Sequence, residues 1–120
     1  MPTRDVDARS FLPLSPLTFL VLLAMAEAER HGYAIIQEIE ARNVGLRLRT
    51  GNLYTVLQRL RDQALIEESD ARPARGDDRR RRYYGLTLLG RAVLVAETGR
   101  LEALVGAARL RRVPGRSSKP

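Results

Sequence analysis

Between residues 50 and 64, Leu53, Val56, Leu57, Leu60 and Ala64 recur at the i, i+3, i+4, i+7 spacing that buries one side of an α-helix. The opposite side carries Thr55, Gln58, Arg59 and Asp62, with Asn52 and Tyr54 on its flanks. These side chains donate and accept hydrogen bonds, and they are long enough to reach base edges and phosphates. An ordinary solvated helix also shows a polar outer face. The elements around it must therefore decide between the two readings.

Upstream, Ser15-Pro16 marks a helix start. Serine can cap free amides, and proline at the first helical position gives up only a donor that has no partner there. The pattern predicts a first helix to about residue 28, apolar nearly all round, as a central helix of a small domain is. A second helix is predicted over 33–42, after Gly32, with Ile35, Ile36 and Ile39 inward and Gln37, Glu38 and Glu40 outward. His31, the only histidine, precedes it and fits a capping role; one histidine makes no metal site. Residues 43–45 read as a turn, and Leu46-Arg47-Leu48-Arg49 alternates as a short strand does. Thr50 is the expected cap of the third helix, where Gly51 lets the backbone come close.

Beyond the third helix, residues 65–69 and 80–86 are strand candidates, the second richer in the aromatic residues that strands favour. Tyr83 and Tyr84 would point to opposite faces, so at least one belongs to the core. The charged segment 70–78, with Pro73 and Gly76, reads as the turn between the strands. Three helices followed by a hairpin predict a mainly α (α+β) winged helix-turn-helix, in which the third helix enters the major groove and the hairpin lies along the backbone. Thr87 then caps a fourth helix over 88–112, ended before Pro114. Leu94, Leu101 and Ala108 fall seven apart with Leu104 between them, a partial heptad, although Glu97 takes the other seam position and Gly99 and Gly106 lower helix propensity. The chain divides accordingly: an N-terminal arm (1–14), the winged helix-turn-helix domain (15–87), a dimerisation helix (88–112) and a basic tail (113–120) expected to be disordered.

Composition narrows the function classes. The 120 residues are 44% hydrophobic and 29% charged, as expected of one soluble domain with appendages. Without cysteine, disulfides, thiolate metal sites and cysteine nucleophiles are excluded. The longest apolar run is far too short for a membrane span. The first nine residues hold Asp5 and Asp7 and no apolar run, which makes a cytoplasmic location the default. The net charge of +7 favours a polyanionic partner. All but one of the 21 basic residues are arginine, a bias that GC-rich coding can produce by itself, so their placement matters more than their number. From residue 41 to 61, Arg42, Arg47, Arg49, Arg59 and Arg61 occur without an acid. Arg79, Arg80, Arg81 and Arg82 form a second cluster that Asp77 and Asp78 only half offset, which points to phosphate contact by the wing.

Several motifs also occur in a familiar order. His31-Gly32-Tyr33, then Gly51-Asn52-Leu53-Tyr54 with Leu57 and Arg59-Leu60, then Leu65-Ile66, then Arg81-Arg82-Tyr83-Tyr84-Gly85-Leu86-Thr87 and Gly90, resemble the PadR family of bacterial transcriptional regulators across about residues 12–95. Thr55 departs from the proline that the family often has there. The resemblance implies a repressor that binds operator DNA as a homodimer, usually through a C-terminal helix, with no catalysis. A twofold dimer in turn requires a near-palindromic operator, and no cofactor is expected. Effectors differ among members, and the tryptophans that trap planar drugs in some are missing here; a small-molecule effector stays unidentified. The candidate DNA contacts are Arg49, Thr50, Asn52, Tyr54, Thr55, Gln58, Arg59, Arg79, Arg80 and Arg81, and the candidate dimer contacts are Leu94, Leu101, Leu104 and Ala108.

Other classes fit less well. A nonspecific basic nucleic-acid binder shares the charge, but the chain lacks an aromatic platform for single-stranded bases. A protein-interaction module on the same fold is a further alternative. An enzyme is disfavoured, because there is no phosphate loop after a strand, no nucleophile elbow and no cluster of carboxylates and histidine at ligand spacing.

Overall fold

The fold is given by a computed structural model that describes residues 7–42, 50–69 and 82–112. A single 3-10 turn, Ala8–Phe11, is followed by α1 (Pro16–Ala24), β1 (Arg30–His31), α2 (Gly32–Ala41), α3 (Thr50–Asp62), β2 (Ile66–Ser69), β3 (Tyr83–Leu86) and α4 (Leu88–Leu110). The described strands form one antiparallel sheet in the order β1-β3-β2. This is a winged helix-turn-helix, with β2 and β3 as the stem of the wing. The predicted turn at 43–45, the strand at 46–49 and the wing turn at 70–78 lie outside the described residues.

Capping fixes where the helices begin. Ser15 Oγ accepts from the Thr18 amide at 3.1 Å with Pro16 behind it, and Thr87 Oγ1 accepts from the Gly90 amide at 2.9 Å. His31 caps α2 as expected, its Nδ1 accepting from the Ala34 amide at 3.2 Å. Thr50 is already helical rather than a cap outside α3.

Helix α1 ends at Ala24, four residues earlier than its composition predicts. Met25 and Ala26 donate back to Leu22 and Leu23 in a tightened last turn, and Arg30 Nε donates to the Ala24 carbonyl at 2.6 Å. From the far side Arg91 donates to the Ala26 carbonyl at 3.2 Å. Ending the helix there lets residues 30 and 31 reach β3, opposite Tyr84 and Tyr83. Tertiary pairing has overridden helix propensity at this point.

The core draws on α1, α2, α3, β2, β3 and α4 and the residues that join them: Val21, Leu22 and Met25, Ile35 and Ile39, Leu53, Leu57 and Leu60, Leu65 and Ile66, Tyr84, and Val93 with Leu94. Both tyrosines of β3 are buried, and the Tyr83 ring meets that of His31 edge-on at 5.2 Å. Ala64 departs from the predicted apolar stripe. It lies past the end of α3 in the left-handed region, with φ of 63°, and is exposed.

Helix α4 is shared between two environments. Its start is clamped to the turn after α3, where the Thr87 amide donates to the Leu65 carbonyl at 3.1 Å and Thr87 Oγ1 to the Ala64 carbonyl at 2.7 Å. Gly90 lies so close that a Cβ would overlap the Leu65 carbonyl oxygen. The first turns, through Val93, Leu94 and Glu97, are core. Glu97 is 1% exposed and therefore not on an outer seam: Arg100 donates to it from two nitrogens at 2.6 and 2.8 Å, and the Leu14 amide donates to Oε2 at 3.1 Å. A buried carboxylate without such partners is strongly unfavourable. The Arg100 hydrogen bonds, aided by the Leu14 amide and opposed by burial, hold the Glu97 carboxyl below the usual range. This pairing fastens the N-terminal arm to α4, where Ala8, Phe11, Leu12 and Leu14 pack against the core.

Candidate nucleic-acid interface

The apolar stripe of α3 is consumed by the core, with Leu53 at 0% exposure, Val56 at 7%, and Leu57 and Leu60 at 1% each. That burial fixes the rotation of the helix about its axis, so its other side has to face outward. Asn52, Tyr54, Thr55, Gln58, Arg59 and Asp62 are all exposed, and the last five line one shallow concavity. Gln58 Nε2 donates to Asp62 Oδ1 at 3.0 Å, one turn along, which holds the amide over the helix surface. The surface combines an amide, a hydroxyl, a guanidinium and a carboxylate within about three helical turns. Such a set matches the donors and acceptors on major-groove base edges.

Tyr54 has a second role that its place on the helix flank does not reveal. Its ring lies against the start of α2, where a Cβ on Gly32 would fall 2.5 Å from the phenol oxygen. The glycine thus admits the tyrosine, and the contact sets α3 against α2. About half of the tyrosine surface, 48%, stays exposed beside Thr55.

Charge links α3 to the wing stem. Arg82 donates to Glu68 Oε2 at 2.8 Å, and Arg61, in the last turn of α3, lies 3.4 Å from the same oxygen. Glu68 stands opposite Tyr84 in the β2–β3 register. Burial, followed by the charge of Glu68, pushes the Tyr84 phenol above its usual value. The sequence offers Asp77 and Asp78 as the nearest counter-charges to the arginine run and gives no sign of Glu68, because the strand register that makes this pair is not encoded locally. Arg49, Arg79, Arg80 and Arg81 lie outside the described residues, and the Thr50 side chain is likewise not described.

The candidate dimer contacts separate in space. Leu94 is 7% exposed and already packed within its own chain, so it offers no surface to a second one. Leu101 is half-buried, Leu104 is 54% exposed and Ala108 is exposed. Phe19, Leu101, Val105 and Gly106 line a shallow depression between α1 and α4, with Thr98, Glu102 and Arg109 at its edges. Phe19 and Val105 are additions to the residues expected from the heptad. Val105 follows Leu101 by one turn and was legible in the periodicity, whereas Phe19 reaches this surface only through the packing of α1 on α4.

Among the described residues, no group of histidines and carboxylates could hold a metal ion, and no helix is long and apolar enough to cross a membrane. Comparison with known proteins bears on the same region. An uncharacterised protein of Lysinibacillus sphaericus is 36% identical over 87 residues, which is 72% of this chain and 78% of that protein. The crystal structure of a PadR family transcription regulator from Clostridium difficile R20291 superposes with a TM-score of 0.69 at 20% identity, covering 82% of this chain and all of that one. A PadR family transcriptional regulator from Eggerthella lenta DSM 2243 is 25% identical with a TM-score of 0.62, covering 89% of this chain and 87% of that one. The sequence pattern of the transcriptional regulator PadR-like family matches residues 21–96, the span that contains α3, the wing stem and the clamp on α4. With both the sequence pattern and the winged fold in agreement, this chain belongs to the PadR-like family of transcriptional regulators.

Proposed function

We propose that the chain is a sequence-specific DNA-binding repressor that places α3 in the major groove of a near-palindromic operator as a homodimer, in the cytoplasm. The observation that carries this reading is the two-sided character of α3: four apolar residues lock its rotation, and the face left outside consists of side chains suited to base edges. In this reading Asn52, Thr55, Gln58 and Arg59 meet bases, while Tyr54, Thr50, Arg49 and the wing arginines Arg79, Arg80 and Arg81 meet the backbone. The exposed apolar residues of distal α4 support a second copy as the other partner, through Leu101, Leu104, Val105 and Ala108.

Selection of binding sites from a random duplex library by the purified full chain tests the proposal. A repressor of this kind enriches one site with twofold symmetry, its half-sites about one helical turn or a multiple of it apart. Enrichment of no sequence over the starting library would overturn the sequence-specific reading and leave a nonspecific basic protein.

A further inference from the structure

At the junction of α3 and the wing stem, one carboxylate holds two cations among the described residues. Arg61 belongs to the last turn of α3 and Arg82 immediately precedes β3, so the two guanidiniums lie between the elements expected to touch the duplex. Both converge on one oxygen, Oε2 of Glu68, at 3.4 and 2.8 Å. An arginine pair closing on a single anionic oxygen is also the arrangement that receives a phosphate oxygen. The carboxylate therefore occupies, in the free protein, the kind of position a backbone phosphate would take. The cluster is open to solvent, the three side chains being 38%, 38% and 66% exposed for Arg61, Glu68 and Arg82. Surface pairs of this kind are weak and exchange readily.

We propose that Glu68 is an internal competitor for DNA phosphate: it neutralises part of the charge of Arg61 and Arg82 and so limits the affinity of the protein for bulk DNA. This rests on the DNA-binding reading above. Nonspecific binding is governed almost wholly by the number of phosphates neutralised. A carboxylate that competes at the junction of α3 and the wing reduces that number for every duplex alike, and leaves discrimination to the side chains of α3.

The test is a titration of random-sequence duplex with the full chain at several salt concentrations, for wild type, Glu68→Gln, Arg82→Ala and the double variant. Glu68→Gln should bind about fivefold or more tightly at roughly 0.1 M salt, where opposing charges in close proximity are still felt. Its salt dependence should steepen by about one unit for each additional phosphate neutralised. Arg82→Ala should change little in the wild-type background and abolish much of the tighter binding in the Glu68→Gln background. Unchanged or weaker binding by a folded Glu68→Gln variant overturns the proposal, since Glu68 would then only orient the arginines. Arg82→Ala alone removing a full unit of slope overturns it too, and that reading does not depend on how Glu68→Gln folds. If wild type itself ignores duplex DNA at low salt, it is the DNA-binding reading that fails, an outcome separate from wild type binding and Glu68→Gln matching it.

Discussion

Helices α3 and α4 each bury one side in the same core, yet the sides they leave outside differ in kind. On α3 the outer face is polar and compact, with Thr55, Gln58, Arg59 and Asp62 around one concavity. On distal α4 one side is apolar, with Leu104 at 54% exposure and Val105 at 49% beside the half-buried Leu101. Water is a good solvent for the first and a poor one for the second. A polar face of this density fits a ligand with its own hydrogen-bonding pattern, whereas an apolar one of this length fits another apolar surface. One small domain thus presents two surfaces of opposite chemistry, held at a fixed distance by the clamp at Thr87 and Gly90.

The sharpest way to break that arrangement is at the clamp. Gly90→Ala places a methyl group into the Leu65 backbone carbonyl, where no flexible side chain can give way. We expect a loss of about 3 kcal/mol or more in urea unfolding, at the upper end of what overpacking produces. A variant with wild-type stability would mean that α4 is not seated on Leu65 as described.

A second variant separates the two surfaces without touching the core. Leu104→Glu with Val105→Glu puts charge on the apolar side of α4, and sedimentation should show dimer for wild type and monomer for this variant. Affinity for a two-half-site operator should fall about a hundredfold, as linked binding is lost, while the melting of each monomer stays cooperative. An unchanged dimer would move the interface elsewhere.

The arm contact at Glu97 gives a smaller, pH-dependent effect. The folded carboxyl titrates below its ordinary value of 4.5. Its contribution to stability is therefore fully present above pH 4.5 and is lost as the pH falls through the lowered folded value. Acid unfolding of wild type should accordingly be steeper below pH 4.5 than that of Glu97→Gln. Equal slopes would remove the ion pair from the account.

The smallest change expected is at Gly99 on α4, where nothing lies within 4 Å of the place a methyl group would take. Gly99→Ala should stabilise the helix by about 0.5–1 kcal/mol. Loss of stability there would mean that the backbone at residue 99 is not open as described.

The contrast between the helices also marks what the sequence reveals. Helix starts at residues 16 and 88 were legible because Ser15-Pro16 and Thr87 act locally, and the buried stripe of α3 was legible because 3.6-residue periodicity is a local signal. The two-residue strand β1 was not, since Arg30 and His31 are extended only by pairing with Tyr84 and Tyr83, far along the chain. Glu97 looked like a defect in a heptad seam, because its partner in the arm, Leu14, lies at the other end of the sequence. Within the candidate site, the outward face of α3 was readable from spacing. The seat of Tyr54 on Gly32 and the sharing of Glu68 by two arginines were not, because both depend on how elements dock.

The central claim is that the outer face of α3 discriminates between DNA sequences, and competition binding measures it most directly. Wild type and the triple variant Thr55→Ala, Gln58→Ala, Arg59→Ala are each challenged with the library-selected site and with random duplex. Wild type should prefer the selected site by about a thousandfold or more. The triple variant should lose most of that preference, at about 1–3 kcal/mol per base contact removed, while keeping much of its salt-dependent affinity for random duplex. Equal competition by both DNAs against wild type, or an undiminished preference in the triple variant, would contradict the account.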